Sequence, residues 1–165
     1  MHACITALPH TVATGIGATV IMDLWLLLLS AFGLAKLNFT MIGRWIGHFQ
    51  HGRFMHPAIG KATAIEGEQM LGWIAHYAVG IAFAALLVLV SGTGWLSRPT
   101  FGPALGIGLL TLAAPLLVMQ PAMGAGIAFS NTPSPLANCL RSLANHAVFG
   151  CGLFLSAETL SALWP

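Results

Sequence analysis

Three ionisable side chains sit inside long apolar runs of this chain: Asp23, His76 and His146. A carboxylate or imidazole in hydrocarbon is costly unless it pairs, binds an ion or relays a proton, so each is a candidate functional group. Each also recurs with small residues four apart: Gly15, Thr19 and Asp23; Gly72, His76, Gly80 and Ala84; Ser142, His146 and Gly150. Residues four apart share a helix face, and small residues on that face let helices approach closely. The spacing predicts that all three polar groups point into a bundle rather than into lipid. His76 is six residues past Met70 and His146 six past Leu140, which places each imidazole about 9 Å along its helix. Gln120 joins them as a polar candidate, or else satisfies backbone carbonyls freed by Pro115 and Pro121. Met119 and Met123 read as packing residues.

The elements that must position these groups are membrane spans. Of 165 residues, 57% are hydrophobic and 6% charged, against roughly 25% charged in an ordinary soluble protein. The mean hydropathy is +0.85. Ten charges cannot clothe a globule of this size in water, and a net charge of +2 is too small a balance to suggest nucleic acid as a partner. Four stretches reach the roughly 20 apolar residues that cross a bilayer: Thr11–Leu34, Met70–Ser91, Gly102–Gln120 and Leu140–Trp164. The expected fold is all-α, a polytopic four-transmembrane-helix bundle forming one domain over residues 1–165. Trp73, Trp95 and Trp164 stand where interfacial anchors belong, whereas Trp25 falls inside the first span. That first span is expected to be retained. No Lys or Arg precedes it, and it is longer than the roughly 7–15 residues of a signal-peptide core.

Basic residues set the expected orientation. Lys36, Arg44, Arg53 and Lys61 lie in the 35–69 connection, with Arg141 beside the later one and Arg98 on the opposite side. The positive-inside rule then puts that connection in the cytoplasm and both termini outside. Within it, Asn38 can cap a helix over 39–50. Phe39, Ile42, Trp45, Ile46 and Phe49 recur at helical spacing, while Arg44, His48 and His51 fall on another face. This predicts an amphipathic interfacial helix, aromatic side toward lipid and basic face outward. Residues 52–67 read as irregular, and Glu66 and Glu68 as carboxylates favouring a helix N-terminus. The spacing of His48, His51 and His56 lacks the Cys or acid that would complete a tetrahedral metal set, so a basic face is the preferred reading. Cys4, Cys139 and Cys151 form no C-x-x-C pair. Residues 124–135 read as a Gly/Pro connection without a P-loop lysine.

One set of motifs, in order, resembles a known family. Gly15-Ile-Gly-Ala-Thr19, Met22-Asp23-Leu-Trp25, Gly43-Arg-Trp-Ile-Gly-His48, Gly67-Glu68, Gly72-Trp73, His76-Tyr77, Gln120-Pro121, Met123-Gly-Ala-Gly126 and Leu140-Arg-Ser-Leu143 with His146 are similar to the bacterial membrane proteins of domain-of-unknown-function family 2938. The resemblance covers nearly the whole chain. It implies a small polytopic protein of a bacterial inner membrane, and it implies no activity.

Three functions remain open on the residues. A small transporter or solute- or ion-binding protein ranks first, with Asp23, His76 and His146 along the pathway or as ligands of a metal ion. A non-catalytic accessory subunit, partnered by another copy or a membrane protein, ranks second. A haem b protein with His76 and His146 as axial ligands ranks third. The sequence requires no cofactor, presents no catalytic set that would mark an enzyme, and names the lipid bilayer as its one evident partner.

Overall fold

The computed structural model describes residues 2–34 and 38–163, with side chains from residue 7 onward. Lys36 and Trp164, and the side chain of Cys4, lie outside the described residues. Among those described, every regular element is helical. Four helices are long and apolar enough to cross a membrane, over Ala7–Ala31, Glu68–Ser91, Phe101–Ala122 and Pro135–Leu163. The chain is thus an all-helical, multi-pass membrane protein. Leu24, Leu27, Leu28, Leu89 and Val90 stay exposed, as apolar side chains do when hydrocarbon is the solvent.

The helix boundaries differ from the apolar runs for identifiable reasons. Helix α1 (His2–Ala31) begins well before Thr11 and runs through Pro9, which membrane helices tolerate because neighbouring groups satisfy the freed carbonyl. It ends before Leu34 in a Schellman cap. Gly33 takes φ +70°, its N–H donates to Ser30 O at 3.0 Å, and Leu34 N–H donates to Leu29 O at 2.9 Å. Helix α2 (Thr40–Gly47) and a 3-10 turn (His48–His51) form the expected loop helix. Asn38 Oδ1 accepts from Thr40 N–H at 2.8 Å at its start. Helix α3 is Glu68–Ser91 and α4 is Phe101–Leu110. Pro115 offers no N–H and crowds the carbonyl four residues back. The third span widens there into a π turn over Ala114–Met119 before its last helical turn, α5 (Gln120–Ala122). Helix α6 (Pro135–Leu163) starts earlier than Leu140.

Contacts group the residues into two compact units. The first holds Met1–Lys36, Tyr77–Thr111 and Asn145–Pro165. Its core is built from Ala18, Ala84, Leu87, Ala104, Phe149, Leu153 and Ala157, with Trp95 and Leu96 closing one end. Trp95, expected as an interfacial anchor, is therefore buried, and its indole N–H donates to Thr100 O at 3.4 Å. Small residues set the crossings. A Cβ on Gly15 would stand 2.6 Å from Ile81 Cα, and one on Gly108 would stand 2.6 Å from Gly150 Cα. The stripes of four-spaced small residues through Thr19, Gly80 and Gly150 are thus helix contact faces, as their spacing predicts.

The second unit holds Leu37–His76 and Leu112–Ala144. Residues 52–67 are irregular apart from a 3-10 turn at Ile59–Lys61. They are stitched to the end of the third span: His56 N–H donates to Ala122 O at 2.8 Å and Ile59 N–H to Met123 O at 3.0 Å. Gly124 makes this possible. It takes φ +94°, and a side chain there would collide with the backbone carbonyls of His56 and Pro57.

Candidate functional site

In the first unit, Asp23 is buried on α1 with 8% exposure, and the Tyr77 hydroxyl donates to its Oδ2 at 2.9 Å. A carboxylate that left lipid for a protein face needs such a donor, since nothing in hydrocarbon offers one. Nearby in sequence, the Trp25 indole N–H donates to Asn145 Oδ1 at 3.1 Å. That bond explains why Trp25 sits inside a span rather than in the interfacial belt.

His146 in the same unit has a defined tautomer. The Thr111 hydroxyl donates to Gly108 O at 2.7 Å, and His146 Nδ1 stands 3.0 Å from Thr111 Oγ1 and 3.2 Å from Gly108 O. A carbonyl only accepts, and the single hydroxyl proton of Thr111 is already committed to it. The imidazole proton therefore lies on Nδ1, shared between the two oxygens, and Nε2 carries the lone pair. That nitrogen is the one able to take up a proton or meet a ligand.

The second unit contains a polar cluster of its own. Arg44 grips Glu68 with two bonds, Nη2 to Oε1 at 2.6 Å and Nε to Oε2 at 2.8 Å, and Nη1 reaches Ala62 O at 3.2 Å. Glu68 Oε2 also accepts from Ile65 N–H at 2.9 Å. Bidentate geometry with both side chains only 13% exposed makes this a strong pair. Its bond to Glu68 raises the Arg44 pKa above its ordinary value against the opposing effect of burial. Beside it, His48 Nε2 lies 2.9 Å from Thr63 O, and His56 Nε2 lies 2.8 Å from His48 Nδ1. His76 stacks on Phe39 with ring centroids 3.9 Å apart and planes at 21°, and Trp73 meets Phe39 edge-on at 4.9 Å.

The motifs that run through these sites are those of one family. The family model described as "Protein of unknown function (DUF2938)" matches residues 12–160. The chain belongs to the DUF2938 family. No curated protein and no solved structure matches it.

Sequence reasoning marked residues of this DUF2938 protein that the structure distributes between both units. Asp23 and His146 are in the first, each with its own hydroxyl partner. His76 and Gln120 are in the second, where Gln120 opens the turn after the π segment and its carbonyl accepts from Ala125 N–H at 2.9 Å. Among the described residues, no three His, Cys, Asp or Glu side chains are grouped so as to hold a metal ion.

The expected basic face of the DUF2938 loop helix is divided. Arg44 turns to Glu68 and His48 is buried at 3% exposure, while His51 stays exposed. The aromatic face is engaged within the protein as well. Trp45 Nε1–H donates to Phe54 O at 2.8 Å, and Phe49 packs against Trp45 and Phe54. Glu68 does more than favour a helix N-terminus, because it anchors Arg44. The Arg44–Glu68 pair and the His48–His56 pair were not legible as pairs. Their partners lie 24 and 8 residues apart, joined by a loop whose path no periodicity encodes.

Proposed function

We propose that this protein is a small transporter or ion-binding protein of a bacterial inner membrane, working through proton exchange at Asp23 and His146. The observation that carries the reading is the Asp23–Tyr77 pair. A carboxyl group is held 8% exposed within an apolar span, on a face of small residues, by a phenol that can donate to it in either protonation state. His146 supports the reading, since its Nδ1 proton is fixed by Thr111 and Gly108 and its Nε2 lone pair is the basic site. His76 and Gln120 belong to the same proposal as further polar groups along the spans. The 35–69 connection is cytoplasmic in this reading and the termini periplasmic, because the basic residues concentrate there.

Infrared titration of the full chain in lipid tests this directly. The carboxylic-acid carbonyl band of Asp23, read as the difference between wild type and Asp23→Asn so that Glu66, Glu68 and Glu158 cancel, should rise and fall with bulk pH. A band that never responds to pH would mean a sealed structural carboxyl group, and the accessory-subunit reading would replace this one.

A further inference from the structure

The His48–His56 pair has a direction that the geometry dictates. Thr63 O can only accept, so His48 Nε2, 2.9 Å away, carries a proton. Neutral His48 then presents a bare Nδ1, and His56 Nε2, 2.8 Å from it, must be the donor. It follows that His56 Nδ1 is bare, and this buried atom has no hydrogen-bond partner. His56 is 7% exposed and His48 3%. While both rings are neutral, the chain of bonds therefore has one arrangement.

A proton can enter at two places, and both damage the arrangement. On His48 Nδ1 it would set two N–H groups against each other across 2.8 Å. On His56 Nδ1 it would create a buried imidazolium with an N–H that has no acceptor, in the field of Arg53. Burial, followed by the charges of His48 and Arg53, already depresses the His56 pKa below the ordinary histidine value. Glu68 is within the field of a charge on His48, but Arg44 holds both its oxygens. The turn at Ala122–Gly124, packed against His56, carries no titratable side chain.

What the pair fastens is the irregular segment. His48 closes the end of α2, Thr63 and His56 lie at two points of the 52–67 stretch, and the His56 backbone continues the attachment to Ala122. We propose that His48 and His56 form a pH-sensitive latch: neutral, they clip residues 52–63 onto α2 and the end of the third span, and on acidification the segment is released. The ordinary histidine value falls within the physiological range, which suits a device of this kind.

Peptide-resolved hydrogen exchange on the full chain in lipid nanodiscs provides the test, with each rate corrected for the intrinsic pH dependence of exchange. Protection of a peptide covering residues 56–61 should fall about tenfold per pH unit below about pH 6.5, the slope of one linked proton. Residues 77–90 should keep their protection. The double variant His48→Gln/His56→Gln keeps an acceptor and a donor without a titrating ring, and its slope should be flat. His51→Gln, at an exposed ring outside the pair, should keep the wild-type slope. Constant protection in the wild type down to about pH 5, well below the ordinary histidine value, overturns the latch. So does a loss shared equally by residues 77–90, or an undiminished slope in the double variant.

Discussion

The Tyr77 hydroxyl donates to Asp23 Oδ2 at 2.9 Å, and so a residue of α3 supplies the donor that a carboxyl group on α1 needs in an apolar span. Tyr77→Phe removes that hydrogen bond from a buried carboxyl group. It should lower stability by about 1–3 kcal/mol. Asp23→Asn keeps an acceptor oxygen for Tyr77 and should cost less. Thermal unfolding of the three proteins in one detergent compares them, and an unchanged stability in Tyr77→Phe would mean that the bond is idle.

The Arg44–Glu68 pair should behave as a partly buried unit. Arg44→Ala strands a carboxylate that also orders Ile65, and should cost about 1.5–3 kcal/mol, the worth of hydrogen bonds to a charged group. Arg44→Lys cannot restore the two-bond grip and should recover only part of this. The double variant Arg44→Ala/Glu68→Ala should lose clearly less than the sum of the single ones. A double-mutant cycle that comes out additive would show the pair to be exposed and weak.

Helix contacts at glycine predict a contrast. Gly108→Ala drives a methyl group into the Gly150 backbone and should destabilise by about 1–3 kcal/mol, as overpacking does. Gly106→Ala, on the same helix with nothing within 4 Å, should be neutral or slightly stabilising. Similar unfolding temperatures for the two would contradict the close crossing at Gly108.

The lowered pKa of His56 has a definite sign in pH-dependent stability. A neutral histidine in the fold gains an advantage that is complete above its ordinary value of about 6.5. The advantage is lost as pH falls from there toward the depressed value, because the unfolded chain binds the proton first. Wild-type stability minus that of His56→Gln should therefore be constant above neutrality and shrink on acidification. A difference that grows toward low pH would reverse the assignment.

The spans were legible because hydrocarbon selects long apolar helices, and the faces of Gly15, Thr19 and Asp23 or of His146 and Gly150 because four-residue spacing maps directly onto helix surface. Exact helix ends were less so. Pro9 and Leu34 mislead in opposite directions, one tolerated inside α1 and the other placed beyond a Gly33 cap. The polar cluster of the second unit escaped altogether. Arg44, His48 and Glu68 were each noticed, but a solvated face and a helix dipole explained them cheaply. Only the path of residues 52–67 reveals that Glu68, Thr63 and His56 are their partners.

Proton uptake by proteoliposomes is the most direct measurement of the central claim that Asp23 exchanges protons inside the membrane. Vesicles loaded with a pH-sensitive dye and given a potassium diffusion potential should acidify faster with the wild-type protein than without it. Asp23→Asn should slow that uptake at least about tenfold, the equivalent of roughly 1.4 kcal/mol. Leu27→Ala, at an exposed apolar position of the same helix, should leave it unchanged. Uptake by wild-type vesicles no faster than by empty ones, or equal in wild type and Asp23→Asn, would contradict the account.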